Sequence, residues 1–130
     1  MYKRQGWDKG SVNAPLIAKI AEDAGAVAVA VHGRTRAQLY SGVADWESIA
    51  RVVEAVSIPV IANGDIFEPE DAPRLLRRTG AALAMVGRGS MGNPWLFARG
   101  NAALRGEAIP PLPPLRERCD VALRLSLIHI

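Results

Sequence analysis

The chain has 130 residues, 49% of them hydrophobic and 22% charged, a make-up that suits one soluble globular domain and is too short for two. No apolar run reaches the roughly 18 residues of a membrane span, no signal-peptide pattern opens the chain, and the single Cys119 excludes an internal disulfide, so a cytoplasmic, non-membrane protein is expected. A formal charge of +3 leans towards nucleic acid, but Lys3 and Arg4 supply two of those charges, and the rest of the chain is close to neutral.

The two ends read differently from the middle. The last six residues, "LSLIHI", are encoded by CTG TCT CTT ATA CAC ATC, which resembles a transposase adapter used in sequencing libraries. The reverse complement of that adapter contains GTG TAT AAG AGA CAG, which reads Val-Tyr-Lys-Arg-Gln, and a GTG start codon turns the Val into the Met of "MYKRQ". Residues 1–5 and 125–130 are therefore read as adapter-like tails outside the fold, and the chain between them as a piece of a longer protein.

A first helix is expected from Asn13 to Ala24, with Asn13 as N-cap, Pro15 in the first turn and Gly25 just past the end. Leu16, Ile17, Ile20, Ala21 and Ala24 form its predicted inward stripe. The apolar run "AVAVAV" that follows predicts a strand over 26–31, ending on His32-Gly33-Arg34. A second helix opens at the N-cap Asp45, with Trp46, Ile49, Val53 and Val56 facing inward. The strand over 58–62 tolerates Pro59 near its start and ends on Asn63-Gly64-Asp65. A third helix begins near Pro69, starting late or bending because of Pro73, and stops at Gly80. The strand over 82–86 ends on Gly87-Arg88-Gly89.

None of these strands alternates polar with apolar residues, which is the pattern of a parallel sheet buried on both faces. Strands alternating with helices make the chain α/β, and two architectures fit: part of a (β/α)8 barrel or a doubly wound sheet. Beyond Gly89, "SMGNPWLF" predicts a turn and a short helix with Asn93 as N-cap and Pro94 first in the helix. "GEAIPPLPPL" holds four prolines in ten residues and reads as a linker, and "RERCDVALRL" as the opening of another helix.

Ligands of parallel α/β folds bind at the carboxyl ends of the strands. Here three such ends carry polar groups. Gly64, Gly87 and Gly89 leave backbone N–H groups open to an anion, Arg88 offers a fork suited to phosphate, and the helix after Asn93 brings its positive end close. A phosphate-bearing ligand is therefore expected at Asn63, Gly64, Asp65, Gly87 and Arg88. His32 reads as a ligand contact or as a structural histidine, and Arg34 as a phosphate contact or a loop charge. Arg36 has the same two readings as Arg34, with the solvated loop charge favoured, and Trp46 and Trp95 read as packing residues. No metal-ligand spacing and no nucleophile elbow occurs, and Cys119 reads as an ordinary helix-face residue.

"GWD", "VAVHGRTR", "IPVIANGDI", "EPEDA" and "MVGRGSMGNPWLF", in this order, resemble bacterial tRNA-dihydrouridine synthases of the B-type branch over roughly residues 6–124. The resemblance implies the C-terminal half of an FMN-binding (β/α)8 TIM barrel over 6–100, then a linker and the start of a helical tRNA-binding domain over 101–124. It implies FMN as cofactor, NADPH as reductant and tRNA uridine as substrate. Asn63, Gly64 and Asp65 match one flavin-contacting loop, Gly87 and Arg88 the flavin-phosphate loop, and His32 a strand-end histidine near the flavin. The family's proton-donating cysteine lies upstream, Cys119 does not match it, and its flavin-contacting lysine falls near Tyr2. No catalytic residue is therefore expected in this chain. Taken alone the chain is expected to be inactive and to self-associate through open sheet edges. The alternatives are another FMN-dependent barrel oxidoreductase, of dihydroorotate or dihydropyrimidine dehydrogenase type, and a non-catalytic phosphate-binding half-barrel.

Overall fold

A computed structural model of the chain describes residues 2–4, 6 and 8–127; Trp7 lies outside them. Four strands, β1 (Tyr2–Arg4), β2 (Val29–His32), β3 (Val60–Asn63) and β4 (Leu83–Met85), form one parallel sheet in the order β1-β2-β3-β4. Three helices connect them: α1 (Ala14–Asp23), α2 (Trp46–Ala55) and α3 (Asp71–Thr79). Every strand lies beside its successor in the chain, so the sheet lacks the reversal of strand order that marks a doubly wound fold. Helix α1 packs on α2 and α2 on α3, forming one layer over the sheet.

Alternate strand residues build the core beneath that layer. Val29, Val31, Val60 and Ala62 pack with Ile49 and Val52 of α2, Leu75 of α3 and the small side chains Ala14 and Ala18 of α1. At about 1.5–3 kcal/mol for each large aliphatic side chain, this burial is the main force holding helices to sheet. On the other face Ala30 of β2 is buried, Ile61 is half-buried and Leu83 is 59% exposed, so burial on both faces, expected from the continuous apolar runs, fades from β2 towards β4.

Residues 2–4, set outside the fold as adapter-like, instead pair with β2, Tyr2 opposite Ala30 and Arg4 opposite His32. Strand addition uses backbone N–H and C=O groups, which nearly any extended residue supplies, so composition does not report it. At the other end, helix α5 (Leu115–Leu127) runs into the stretch likewise set aside.

The helices begin and end for local reasons. Asp45 caps α2, accepting the Ser48 N–H at 3.2 Å. Pro73 delays α3, which begins at Asp71, and Gly80 closes it at φ +71, where the Leu76 carbonyl accepts the Gly80 N–H. Asn13 precedes α1 but makes no side-chain cap. The α1 stripe agrees with expectation at Ala21, which is buried, and differs elsewhere: Ala14 and Ala18 are buried while Leu16, Ile20 and Ala24 are exposed. The small residues face the neighbouring layer because a close helix–sheet approach leaves no room for leucine there. In α2 the buried positions are Ser48, Ile49 and Val52, with Trp46, Val53 and Val56 packed at the margin.

The sequence after β4 forms a short 3₁₀ turn over Arg88–Ser90 and then helix α4 (Leu96–Arg105), which begins at Leu96 rather than beside Asn93. The backbone over 90–93 is already closed by a turn, the Asn93 N–H donating to the Ser90 carbonyl at 3.0 Å. Trp95 is half-buried at the mouth of α4. The proline-rich stretch before α5 has no regular structure. Among the described residues no helix is long and apolar enough to cross a membrane.

Candidate ligand site at the strand ends

The parallel register decides which loop residues meet. His32 pairs with Asn63 and Asn63 with Met85. Two residues further along each strand stand Arg34, Asp65 and Gly87. Equal offsets from paired positions therefore set a guanidinium, a carboxylate and a bare backbone side by side.

The contacts follow that geometry. Arg34 is 2% exposed, and its two terminal nitrogens donate to the two Asp65 oxygens at 2.8 and 2.9 Å. It also donates to the carbonyls of Ser41 at 3.2 Å and Gly42 at 2.7 Å. Asp65 accepts the Ala44 N–H at 2.7 Å and an Arg88 nitrogen at 3.3 Å. Burial by itself would raise the Asp65 carboxyl. The Arg34 hydrogen bonds, the Ala44 N–H and the charges of Arg34 and Arg88 outweigh it and hold the group below the usual carboxylate range. Asp65 occupies a left-handed conformation at φ +52, which turns its carboxylate back towards the preceding loop.

Arg88 differs from Arg34 in surroundings. It is half-exposed, with its guanidinium 4.9 Å from the centre of the Tyr40 ring and 5.7 Å from that of Phe67. Both distances lie within reach of cation–π attraction. Arg34 and Asp65 cancel in formal charge, and Arg88 remains as the excess positive charge.

These groups line a cavity of about 310 Å³, bounded by His32 and Arg34, by residues 63–67, by residues 85–89 and by Tyr40. The three polar strand ends thus converge, as the strand pattern predicts. Their roles divide more finely than the sequence suggested. Asn63 is buried, and its amide donates to the Met85 carbonyl at 2.8 Å, tying β3 to β4. Gly87 alone among the three glycines leaves open space: a Cβ there would meet only the Asn63 amide nitrogen, at 4.0 Å. At Gly89 a Cβ would stand 2.0 Å from the Ile66 carbonyl oxygen, and at Gly64 2.6 Å from the Ala44 Cβ. Those two glycines are bare because the chain packs against them.

Arg34, open to two readings in the sequence, is neither a solvated charge nor a free ligand contact; its donors are engaged within the fold. The Arg36 side chain is exposed. Trp46 does more than pack, since its indole N–H donates to the Gly64 carbonyl at 3.1 Å. Sequence reasoning missed Tyr40 and Phe67 as lining residues, because neither lies at a strand end or in a motif. It could have found the Arg34–Asp65 pair from the equal offsets. The residues that open α4 are not among those lining the cavity, so the expected helix end is absent from its wall. Cys119 is exposed on α5. Among the described residues no group of three or more His, Cys, Asp or Glu side chains could hold a metal ion.

A family model described as dihydrouridine synthase matches residues 2–127. The chain belongs to the dihydrouridine synthase family. It is 52% identical over 117 residues to a probable tRNA-dihydrouridine synthase of Rhodobacter capsulatus, covering 90% of this chain and 36% of that protein. It is 49% identical over 128 residues to tRNA-dihydrouridine synthase B of Pseudomonas aeruginosa, covering 98% of this chain and 39% of the relative. A probable tRNA-dihydrouridine synthase of Rickettsia bellii is 49% identical over 120 residues, covering 92% and 37%. This dihydrouridine synthase family member thus spans less than two fifths of the length of those relatives. Among solved structures, a nitroalkane oxidase from Streptomyces ansochromogenes aligns with a TM-score of 0.46 and 31% identity, over 56% of this chain and 24% of that one, a likeness too slight to bear on function.

Proposed function

We propose that the chain is the flavin-phosphate-binding part of a cytoplasmic, FMN-dependent tRNA-dihydrouridine synthase that uses NADPH as reductant. The observation that carries this reading is the excess positive charge of Arg88 beside the open backbone of Gly87, at the meeting of three strand ends in a chain of this family. The cavity is within the about 300–1,000 Å³ typical of small-molecule sites.

FMN, when bound and reduced, supplies the two electrons that saturate the C5–C6 bond of a uridine. The protein groups have separate tasks. Arg88 and the Gly87 N–H would hold the phosphate, the first by charge and the second by close approach. His32, Asn63 and Gly64 would flank the remainder of the cofactor. Asp65 would act through Arg88, because its own charge repels a phosphate. The proton that completes the reduction would come from the cysteine that the family resemblance implies upstream; Cys119 is exposed on α5 and is not among the cavity's lining residues. A uridine must leave its stack to reach a flavin, and tRNA phosphates would supply salt-sensitive affinity.

The one-directional winding of the sheet and the exposed Leu83 support residues 6–100 being a sector of a closed (β/α)8 barrel, with β1 extending that sector to residue 2. The linker and α5 would begin a helical tRNA-binding domain. Alone, the chain would associate through the edges of its sheet.

The test uses the intact protein that contains this chain. It should purify with FMN and restore dihydrouridine, read by mass spectrometry, to tRNA from cells lacking it. FMN-loaded protein that leaves such tRNA unchanged would sink the substrate assignment, and protein that takes up no flavin would sink the cofactor.

A further inference from the structure

A guanidinium is costly to bury unless its donors and its charge are both met. Arg34 is among the largest fully buried side chains, and its hydrogen-bond partners among the described residues are Ser41 and Gly42 in the loop that follows β2 and Asp65 just beyond β3. It grips Asp65 with two short bonds, whereas Arg88 reaches the same carboxylate with one contact at 3.3 Å. The carboxylate charge is therefore spent mainly on the buried partner. The geometry points to Arg34 as a positioning residue that neutralises Asp65 from behind, so that Arg88, steadied by Tyr40 and Phe67, keeps its positive charge for a phosphate. This rests on the reading of the cavity as a flavin-phosphate site. Without the Arg34 charge, Asp65 and Arg88 would become a simple ion pair with nothing left over for an anion.

A purely mechanical role, pinning the loop over 35–45, makes different predictions. The intact protein, stripped of flavin, is titrated with FMN and with riboflavin, which lacks the phosphate, and the ratio of the two Kd values is the readout. Arg34→Gln should cut the preference for FMN about tenfold, because it removes the charge that balances Asp65. Arg34→Lys retains the charge without the fork and should keep the preference within about threefold of the native value. Arg34→Gln/Asp65→Asn removes both charges, leaves an amide pair in their place and should retain most of the preference, even if the single variant does not fold. The proposal fails if Arg34→Gln weakens both flavins alike, or if the double variant loses the preference. If the unaltered protein does not favour FMN over riboflavin, the phosphate-site reading fails before any variant is made.

Discussion

Ala44 and Gly64 approach so closely that a methyl group on Gly64 would stand 2.6 Å from the Ala44 Cβ. Ala44 ends the loop from β2, and its N–H is held by Asp65. Gly64 sits at φ +151, a conformation that side chains rarely adopt. Gly64→Ala therefore combines a clash with a short, inflexible neighbour and backbone strain. It should lower the stability of the intact protein by about 2–4 kcal/mol in a urea melt. An unchanged midpoint would mean that the two loops separate freely.

Trp46 fastens the same bend from the other side through its indole N–H on the Gly64 carbonyl. Trp46→Phe keeps an aromatic ring at the start of α2 and removes the donor. The expected loss is about 1–2 kcal/mol, mostly from leaving the carbonyl without its partner. Thermal unfolding checks this, and a loss no larger than that of an exposed surface change would show that water replaces the indole.

Acid should act through Asp65. Its carboxyl, which burial would raise, is held low by Arg34, the Ala44 N–H and Arg88. A folded-state pKa below the unfolded value of about 3.9 gives stabilisation that is complete above that value and is lost as pH falls through the folded one. Asp65→Asn should cost about 3–5 kcal/mol at neutral pH, since it leaves the buried Arg34 without its carboxylate. It should also flatten the fall in stability below about pH 4. Urea melts from pH 7 to pH 3 on both proteins measure the difference, and parallel curves would exclude Asp65 as a source of acid sensitivity.

Arg88 should matter for ligand more than for fold. It is half-exposed and its contacts to Asp65 and the two rings are at the cavity mouth. Arg88→Gln should weaken FMN about 10- to 100-fold. The same change should lower stability by about 1 kcal/mol, from the loss of exposed cation–π and ion-pair contacts. Flavin fluorescence titration beside a melting curve separates the two effects; undiminished affinity would remove Arg88 from the site.

What could be read from the residues alone was whatever local chemistry decides. Asp45 before α2, Pro73 early in α3 and Gly80 at its end act on their own backbone, so the helix limits there were legible. The continuous apolar runs carried the parallel sheet, and the polar triplets after them located the cavity. Tertiary packing decided the rest. It chose alanines over Leu16 and Ile20 for the inward face of α1, because the distance between layers selects side-chain size and periodicity does not report it. It recruited residues 2–4 into the sheet through backbone hydrogen bonds, which carry almost no sequence preference. It also turned Arg34 inward to meet Asp65: a charge 31 positions away in the chain becomes a neighbour only once two strands pair in register, and only then are the charge and donors of a buried guanidinium met, offsetting the cost of taking it out of water.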